Sequence, residues 1–230
     1  VALRALVFDF DGLILDTERP AYEAWRHVYQ AHGCDLSIEE WADCLGRPDA
    51  WDPLDRLAAR VPVVDRSGAK AMGKAVHDAL LQAETARPGV VELLAEGSEA
   101  GLRIGVASSS PQTWVAPLLE RLALVDHFEC LSCYQPDSGV RGKPHPDLYL
   151  HACQSLDVDP AEAVAFEDSL NGVAAAKAAG LWCVAVPHAL TAGLDLSAAD
   201  LEVDSLASLS LARLRALVDQ WTRPARSVGA

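Results

Sequence analysis

The sequence predicts an α/β fold in which short strands deliver polar side chains to one edge of a sheet. Two observations carry this. Several apolar runs stop abruptly at a polar cluster, and the stretch between the first and second of them is helical in texture. The first strand is the run Leu3-Arg4-Ala5-Leu6-Val7-Phe8, which leads into Asp9-Phe10-Asp11-Gly12. Residues two apart on an extended strand point the same way. A strand continuing through Phe10 would therefore project the carboxylates of Asp9 and Asp11 together from its carboxyl end, the edge at which open α/β sheets bind ligands. Two close carboxylates repel, and a bound cation or a proton on one of them relieves the pair. Such a pair suits a division of labour, with one carboxylate attacking as nucleophile and the other carrying protons.

The next elements are helices. Pro20 to His32 carries Tyr22, Trp25, Val28 and Tyr29 at i, i+3 and i+4 spacing, the stripe of an amphipathic helix. Further helix is expected over Ile38 to Leu45, Leu54 to Arg60 and Ala69 to Gln82, and Pro88-Gly89 opens another. The second strand, Leu102 to Ala107, ends in Ser108-Ser109-Ser110, followed by Pro111 at the first position of a helix. Hydroxyls and free N–H groups at a helix N-terminus form an anion site. Phe128 to Tyr134 reads as a buried strand. Gly142-Lys143-Pro144-His145-Pro146-Asp147 holds a lysine in a loop stiffened by two prolines. His145 in that loop either lines the site or has a structural role. A further strand, Ala163 to Phe166, ends in Glu167-Asp168 before the alanine-rich helix Val173 to Ala179, which Gly180 stops. The acids there are site residues or a helix-dipole pair, an alternative that stays open for Glu167. The last helix is expected around Ala207 to Trp221, with Arg223 to Ala230 as a loose tail.

Composition narrows the function classes. The 230 residues are 50% hydrophobic and 23% charged, enough for a buried core. A net charge of −14 argues against nucleic acid as a partner, because phosphate backbones are neutralised by Lys and Arg. The same charge would repel anionic substrates at long range, so a site for one must concentrate positive charge locally. No apolar run approaches the roughly 18 residues of a membrane span, and the apolar start is too short for a signal peptide. A cytoplasmic enzyme is expected, as a monomer or weak dimer. The six cysteines lie scattered through apolar stretches. Cys130 and Cys133 have a metal-like or redox-like spacing but no second pair, so buried reduced thiols are the expectation.

Four motifs in order, Asp9-x-Asp11, Ser108, Lys143 and Glu167-Asp168, with Asp16-Thr17-Glu18 extending the first, give the chain a family likeness. It resembles a haloacid-dehalogenase-superfamily phosphotransferase of the β-phosphoglucomutase-like and sugar-phosphate phosphatase branch. The resemblance implies a three-layer, Rossmann-like parallel core (residues 1–16 and 87–230) with a helical cap (17–86) inserted after the first strand. It implies Asp9 as nucleophile, Asp11 as proton carrier, and Lys143 as the charge that neutralises the phosphoryl group and restrains Asp9. Ser108 and Ser109 would bind phosphate. Mg²⁺ would be held by Asp9, Asp168 and the backbone carbonyl of Asp11, with Glu167 a fourth candidate. The partner implied is a small phosphorylated metabolite. In the cap, Arg47 is the candidate for substrate contact.

Two departures from that branch bear on the reaction. Its mutases carry a histidine where this chain has Ala21, and a lysine just after the motif serines, where this chain has Pro111-Gln112. A mutase must hold a second phosphate, which needs extra cationic groups. A Mg²⁺-dependent phosphatase of a sugar or polyol phosphate is the favoured reading, and a phosphoglucomutase-type mutase the alternative.

Overall fold

A computed structural model describes residues 2–42 and 52–221. Six parallel strands form one sheet in the order β3-β2-β1-β4-β5-β6. They are β1 (Ala5–Phe8), β2 (Arg103–Ser108), β3 (Cys130–Cys133), β4 (Ala163–Glu167), β5 (Trp182–Ala185) and β6 (Leu201–Glu202). The chain builds outward from β1 on one side through β2 and β3, and on the other through β4, β5 and β6. The sheet thus reverses direction at β1, and the crevice at its carboxyl end is where such sheets take ligands.

Both faces of the sheet are covered. Leu6 and Phe8 of β1 enter one apolar cluster, Ala5 and Val7 the other, as the two-residue period of a strand dictates. The first cluster packs under α5 (Val90–Glu99), α6 (Gln112–Arg121) and α9 (Leu211–Gln220). The second packs under α7 (Asp147–Ser155) and α8 (Leu170–Ala179), where Ala165, Ala175, Ala176 and Ala179 keep helix and sheet close. The result is the three-layer α/β/α core expected from the sequence. The helical insertion lies between β1 and β2: α1 (Glu18–Ala31), α2 (Ile38–Ala42), α3 (Pro53–Arg60) and α4 (Arg66–Ala83). It has an apolar cluster built on Tyr22, Val28, Tyr29, Leu36, Leu54 and Leu57, which Leu190 of the core joins, while Leu81 of α4 packs into the first core cluster. Its entry and exit segments pair at an antiparallel bridge between Leu15 and Ala86. Beside the bridge, the half-buried Arg87 guanidinium donates to the carbonyls of Gly12, Val186 and Pro187.

Several boundaries differ from the sequence reading. Strand β1 stops at Phe8. The Asp9 N–H still donates to Phe166 O at 3.0 Å, but the chain then turns, and Gly12 N–H donates to Leu15 O at 2.8 Å. Gly12 has φ +82°, and a Cβ there would lie 2.2 Å from Asp168 Oδ2, so glycine is required on two counts. Helix α1 begins at Glu18, placing Pro20 in a first turn that needs no N–H from it. Pro111 is the residue before α6 and has extended geometry, one step earlier than expected. The expected Ala207–Trp221 helix is a short 3-10 turn, Leu206–Ser208, and then α9, because Ser210 caps a fresh start by accepting from Arg213 N–H. Among the described residues Cys34, Cys130, Cys133, Cys153 and Cys183 are free thiols. Cys130 and Cys133 stand three apart on one strand and face opposite sides of the sheet. Burial pushes both thiols up to about 11, which removes the thiolate that metal or redox work needs. No described helix is long and apolar enough to cross a membrane.

Candidate active site

The carboxyl ends of the central strands converge on one buried cluster. Asp9 follows β1, Glu167 ends β4 and Asp168 follows it; all three are buried, and they bring carboxylate oxygens within 4.8 Å of one another. Lys143 enters from the loop before α7. Its side chain is only 6% exposed, and its ammonium donates to Asp9 and, at 2.5 Å, to Glu167 Oε1. Burial works against the ammonium, but the carboxylates of Asp9 and Glu167 outweigh it and hold its pKa above the ordinary value. Lys143 is therefore a fixed positive charge.

Glu167 is the most enclosed member, with no exposure. Tyr149 Oη donates to its Oε1 at 2.6 Å, while Asp168 N–H and Ser169 Oγ donate to Oε2 at 3.2 and 3.3 Å. Every lone-pair direction that Lys143 leaves is used by a protein donor. Helix α8 closes over it at Gly172, where a Cβ would lie 1.8 Å from Glu167 Oε2. The sequence left Glu167 open between metal ligand and helix-dipole acid. The structure adds a third environment, a clamp on Lys143.

Asp11 lies outside that cluster, turned toward the motif serines. Ser110 Oγ donates to its Oδ2 at 2.6 Å, Ser108 Oγ reaches the same oxygen at 3.4 Å, and Trp114 Nε1 donates to Oδ1 at 2.9 Å. Ser108 is buried and accepts from Ser110 N–H at 3.0 Å. Ser109 Oγ accepts from the Lys143 N–H at 3.1 Å, tying the serine loop to the lysine loop. The sequence-read residues Asp9, Asp11, Ser108, Ser109, Lys143 and Asp168 all line one cleft of about 470 Å³, and Glu167 lies directly behind them. His145 is not among the lining residues. Arg47 lies outside the described residues.

The cap side of the cleft is built by Thr17, Glu18, Ala21 and His77. Burial, and after it the carboxylates of Asp11 and Asp168, push Glu18 up to about 7 against a pull from His188. Residues that sequence reasoning missed include His188, whose Nε2 lies 3.0 Å from Asp168 Oδ2, together with Tyr149, Ser110, Trp114 and His77. None carries a local signal except Ser110, third in the serine run. The others reach the site only through the folding of loops and helices.

Charge makes the cluster a cation site. Asp9, Glu167 and Asp168 face a single lysine, and Asp11 adds to the field. Burial first, then Glu167, Asp168 and Asp11, raise Asp9 well above the usual carboxylate range, although Lys143 pulls it down. A hard divalent cation taking carboxylate oxygens relieves that repulsion, and the all-oxygen donor set fits Mg²⁺.

The profile of the haloacid dehalogenase-like hydrolases matches residues 3–180. The chain belongs to that family. Among its relatives, hexitol phosphatase B of Escherichia coli (strain K12) is 36% identical over 188 residues, 80% of this chain and 83% of that protein. The β-phosphoglucomutase of Bacillus subtilis (strain 168) is 30% identical over 228 residues, 95% of this chain and 96% of the other. A family hydrolase from Deinococcus radiodurans R1, solved with bound phosphate and sodium, superposes with a TM-score of 0.77 at 30% identity, covering 94% of this chain and 97% of that one. As a haloacid dehalogenase-like hydrolase, the chain has its buried carboxylates at the edge of the sheet where the fold itself places ligands.

Proposed function

We propose that the protein is a Mg²⁺-dependent phosphatase of a small phosphomonoester, a sugar or polyol phosphate, working through an aspartyl-phosphate on Asp9. One observation carries the reading: the only lysine or arginine among the described cleft residues, Lys143, is bonded to the carboxylate proposed as nucleophile. Phosphoryl transfer asks for an in-line nucleophile, neutralised phosphoryl oxygens and a proton for the leaving oxygen. Asp9 supplies the first and Lys143 the charge, held in place by Glu167. Ser108, Ser109 and the backbone around them offer donors to the phosphoryl oxygens. Asp11, apart from the cluster and bonded to hydroxyls, is the group placed to move protons. Asp9, Asp168 and the Asp11 carbonyl would hold Mg²⁺, which when bound neutralises phosphoryl charge. Glu167, with its lone pairs already used, serves Lys143.

The cleft also favours a phosphatase over a mutase. A mutase must grip a second phosphate, yet Ala21 stands where a cation would be wanted, and the described cap wall carries no lysine or arginine. The apolar cluster built mainly from insertion residues supports a core of residues 1–16 and 87–230 and a cap of 17–86, with Arg47 a substrate contact from the cap. A monomer or weak dimer in the cytoplasm completes the proposal.

The test is phosphate release across sugar, polyol, nucleotide and glycolate phosphates, with Mg²⁺ and with EDTA. Mg²⁺-dependent release from sugar or polyol phosphates is expected. Turnover of glucose 1-phosphate only when primed with a sugar bisphosphate would overturn the reading in favour of a mutase.

A further inference from the structure

One wall of the cleft has no part in the reaction as just set out. It is formed by Trp114 of α6, in the core, and His77 of α4, in the cap. The indole N–H of Trp114 donates to Asp11 Oδ1 at 2.9 Å, and its ring carries the imidazole of His77, with centroids 6.2 Å apart and planes 21° from parallel. The other oxygen of Asp11, Oδ2, faces the hydroxyls of Ser110 and Ser108 at 2.6 and 3.4 Å. These partners are not equivalent. An indole N–H can only donate, whereas a serine hydroxyl donates or accepts as it rotates. Oδ1 therefore always meets a donor. Oδ2 can carry a proton while the serine turns to accept, and can lose it while the serine turns to donate.

We infer that Trp114 is a positioning residue for Asp11: it pins Oδ1, leaves Oδ2 as the oxygen that exchanges the proton, and ties that orientation to the seating of α4 through His77. The inference rests on the reading of Asp11 as the proton-transfer group. In the first half-reaction an Asp9 oxygen bonds to phosphorus as the ester P–O bond breaks, and the proton on Asp11 Oδ2 passes to the leaving alkoxide. In the second, water gives a proton to Oδ2 as its oxygen bonds to phosphorus, and the Asp9–phosphorus bond breaks to release phosphate.

The experiment compares kcat/KM on phenyl phosphate, whose leaving group needs a proton, with p-nitrophenyl phosphate, whose leaving group does not. Trp114→Phe keeps a ring under His77 and removes the N–H. It is expected to lose about tenfold or more on phenyl phosphate and under about threefold on p-nitrophenyl phosphate, with Asp11→Ala showing the same bias more strongly. Trp114→His, a ring bearing an N–H, should restore part of the difference. His77→Ala should move the ratio in the same direction by about threefold, since the indole is then held from the core alone. Equal losses on both substrates in Trp114→Phe, with Asp11→Ala still biased, would overturn this inference and leave the phosphatase reading standing. Equal losses in Asp11→Ala would overturn the proton-transfer role and the inference with it. An unchanged ratio in His77→Ala would overturn the tie to the cap.

Discussion

The two walls of the cleft are built on different principles. The core wall consists of groups at strand ends and adjoining loops, most of them buried, backed by Tyr149 of α7 and bonded to one another: Lys143 to Asp9 and Glu167, Tyr149 to Glu167, and the Lys143 N–H to Ser109. The cap wall consists of Thr17 and side chains on two helices, α1 and α4, which meet the core through the Leu15–Ala86 bridge, Leu81 in the core's apolar cluster and the stacking of His77 on Trp114. A phosphoryl group is the same in every phosphomonoester, so its wall can be rigid and over-determined. The alcohol differs from one substrate to the next, and the wall that meets it hangs on an apolar cluster drawn mainly from the insertion. This difference separates which substitutions should cost turnover on every substrate from those that should change their ranking.

The largest effect should come from Asp9→Asn. It removes the proposed nucleophile, and phosphate release should fall by roughly four orders of magnitude or more on every substrate. Retained turnover would break the assignment of the core wall to chemistry. Lys143→Met should come next, losing about 10²- to 10³-fold in kcat without reordering substrates. It also strands Asp9 and Glu167 as buried carboxylates, at a cost of about 3–5 kcal/mol. Urea denaturation in EDTA should show that loss, and added Mg²⁺ should recover part of it by supplying the missing charge. No stability change would mean that Lys143 is not the counter-charge its contacts indicate.

The core wall was legible in the sequence and most of the cap wall was not, for a physical reason. A strand ends where its apolar alternation ends, so Asp9, Ser108 and Glu167-Asp168 announce themselves as polar residues closing apolar runs. Parallel pairing then brings those ends together without further information. His77 is one polar residue on an amphipathic helix, and Trp114 one aromatic on another. Their meeting depends on how cap sits on core, which no local period encodes. The same limit explains Tyr149 and His188, each delivered from its own element to a carboxylate on β4 or just beyond it. Helix ends differ from the sequence reading by up to four residues for local reasons, as where Ser210 restarts the terminal helix after a 3-10 turn.

Smaller effects sharpen the picture of Glu167 as a clamp. Gly172→Ala would place a methyl within 2.1 Å of all three Glu167 carboxyl atoms, so the carboxylate or α8 must move. A loss of about 1–3 kcal/mol in stability is expected, together with lower kcat as Lys143 loses its seat. Tyr149→Phe deletes one of the donors to Oε1 and leaves Lys143 in place. About 1–2 kcal/mol should be lost in urea melts, with a minor change in kcat and no change in substrate ranking. A change in ranking in either variant would mean that the core wall also reads the alcohol.

Glu18 gives the smallest effect and the cleanest view of the cap wall. Unlike Asp9 and Glu167 it has no lysine beside it, and burial with the nearby carboxylates of Asp11 and Asp168 raises it from 4.5 to about 7. The folded state therefore binds a proton more tightly than the unfolded chain does. The resulting stability is fully present below about pH 4.5 and is lost as the pH rises to about 7. In EDTA, the wild-type stability should fall across that window relative to Glu18→Gln, by at most about 3 kcal/mol. Glu18→Gln should flatten the profile there, and its kinetic change should fall on KM and substrate ranking more than on kcat. Parallel pH profiles for the two proteins would mean that solvent or His188 already compensates Glu18, and that the cap wall is less acidic toward its substrate than its composition suggests.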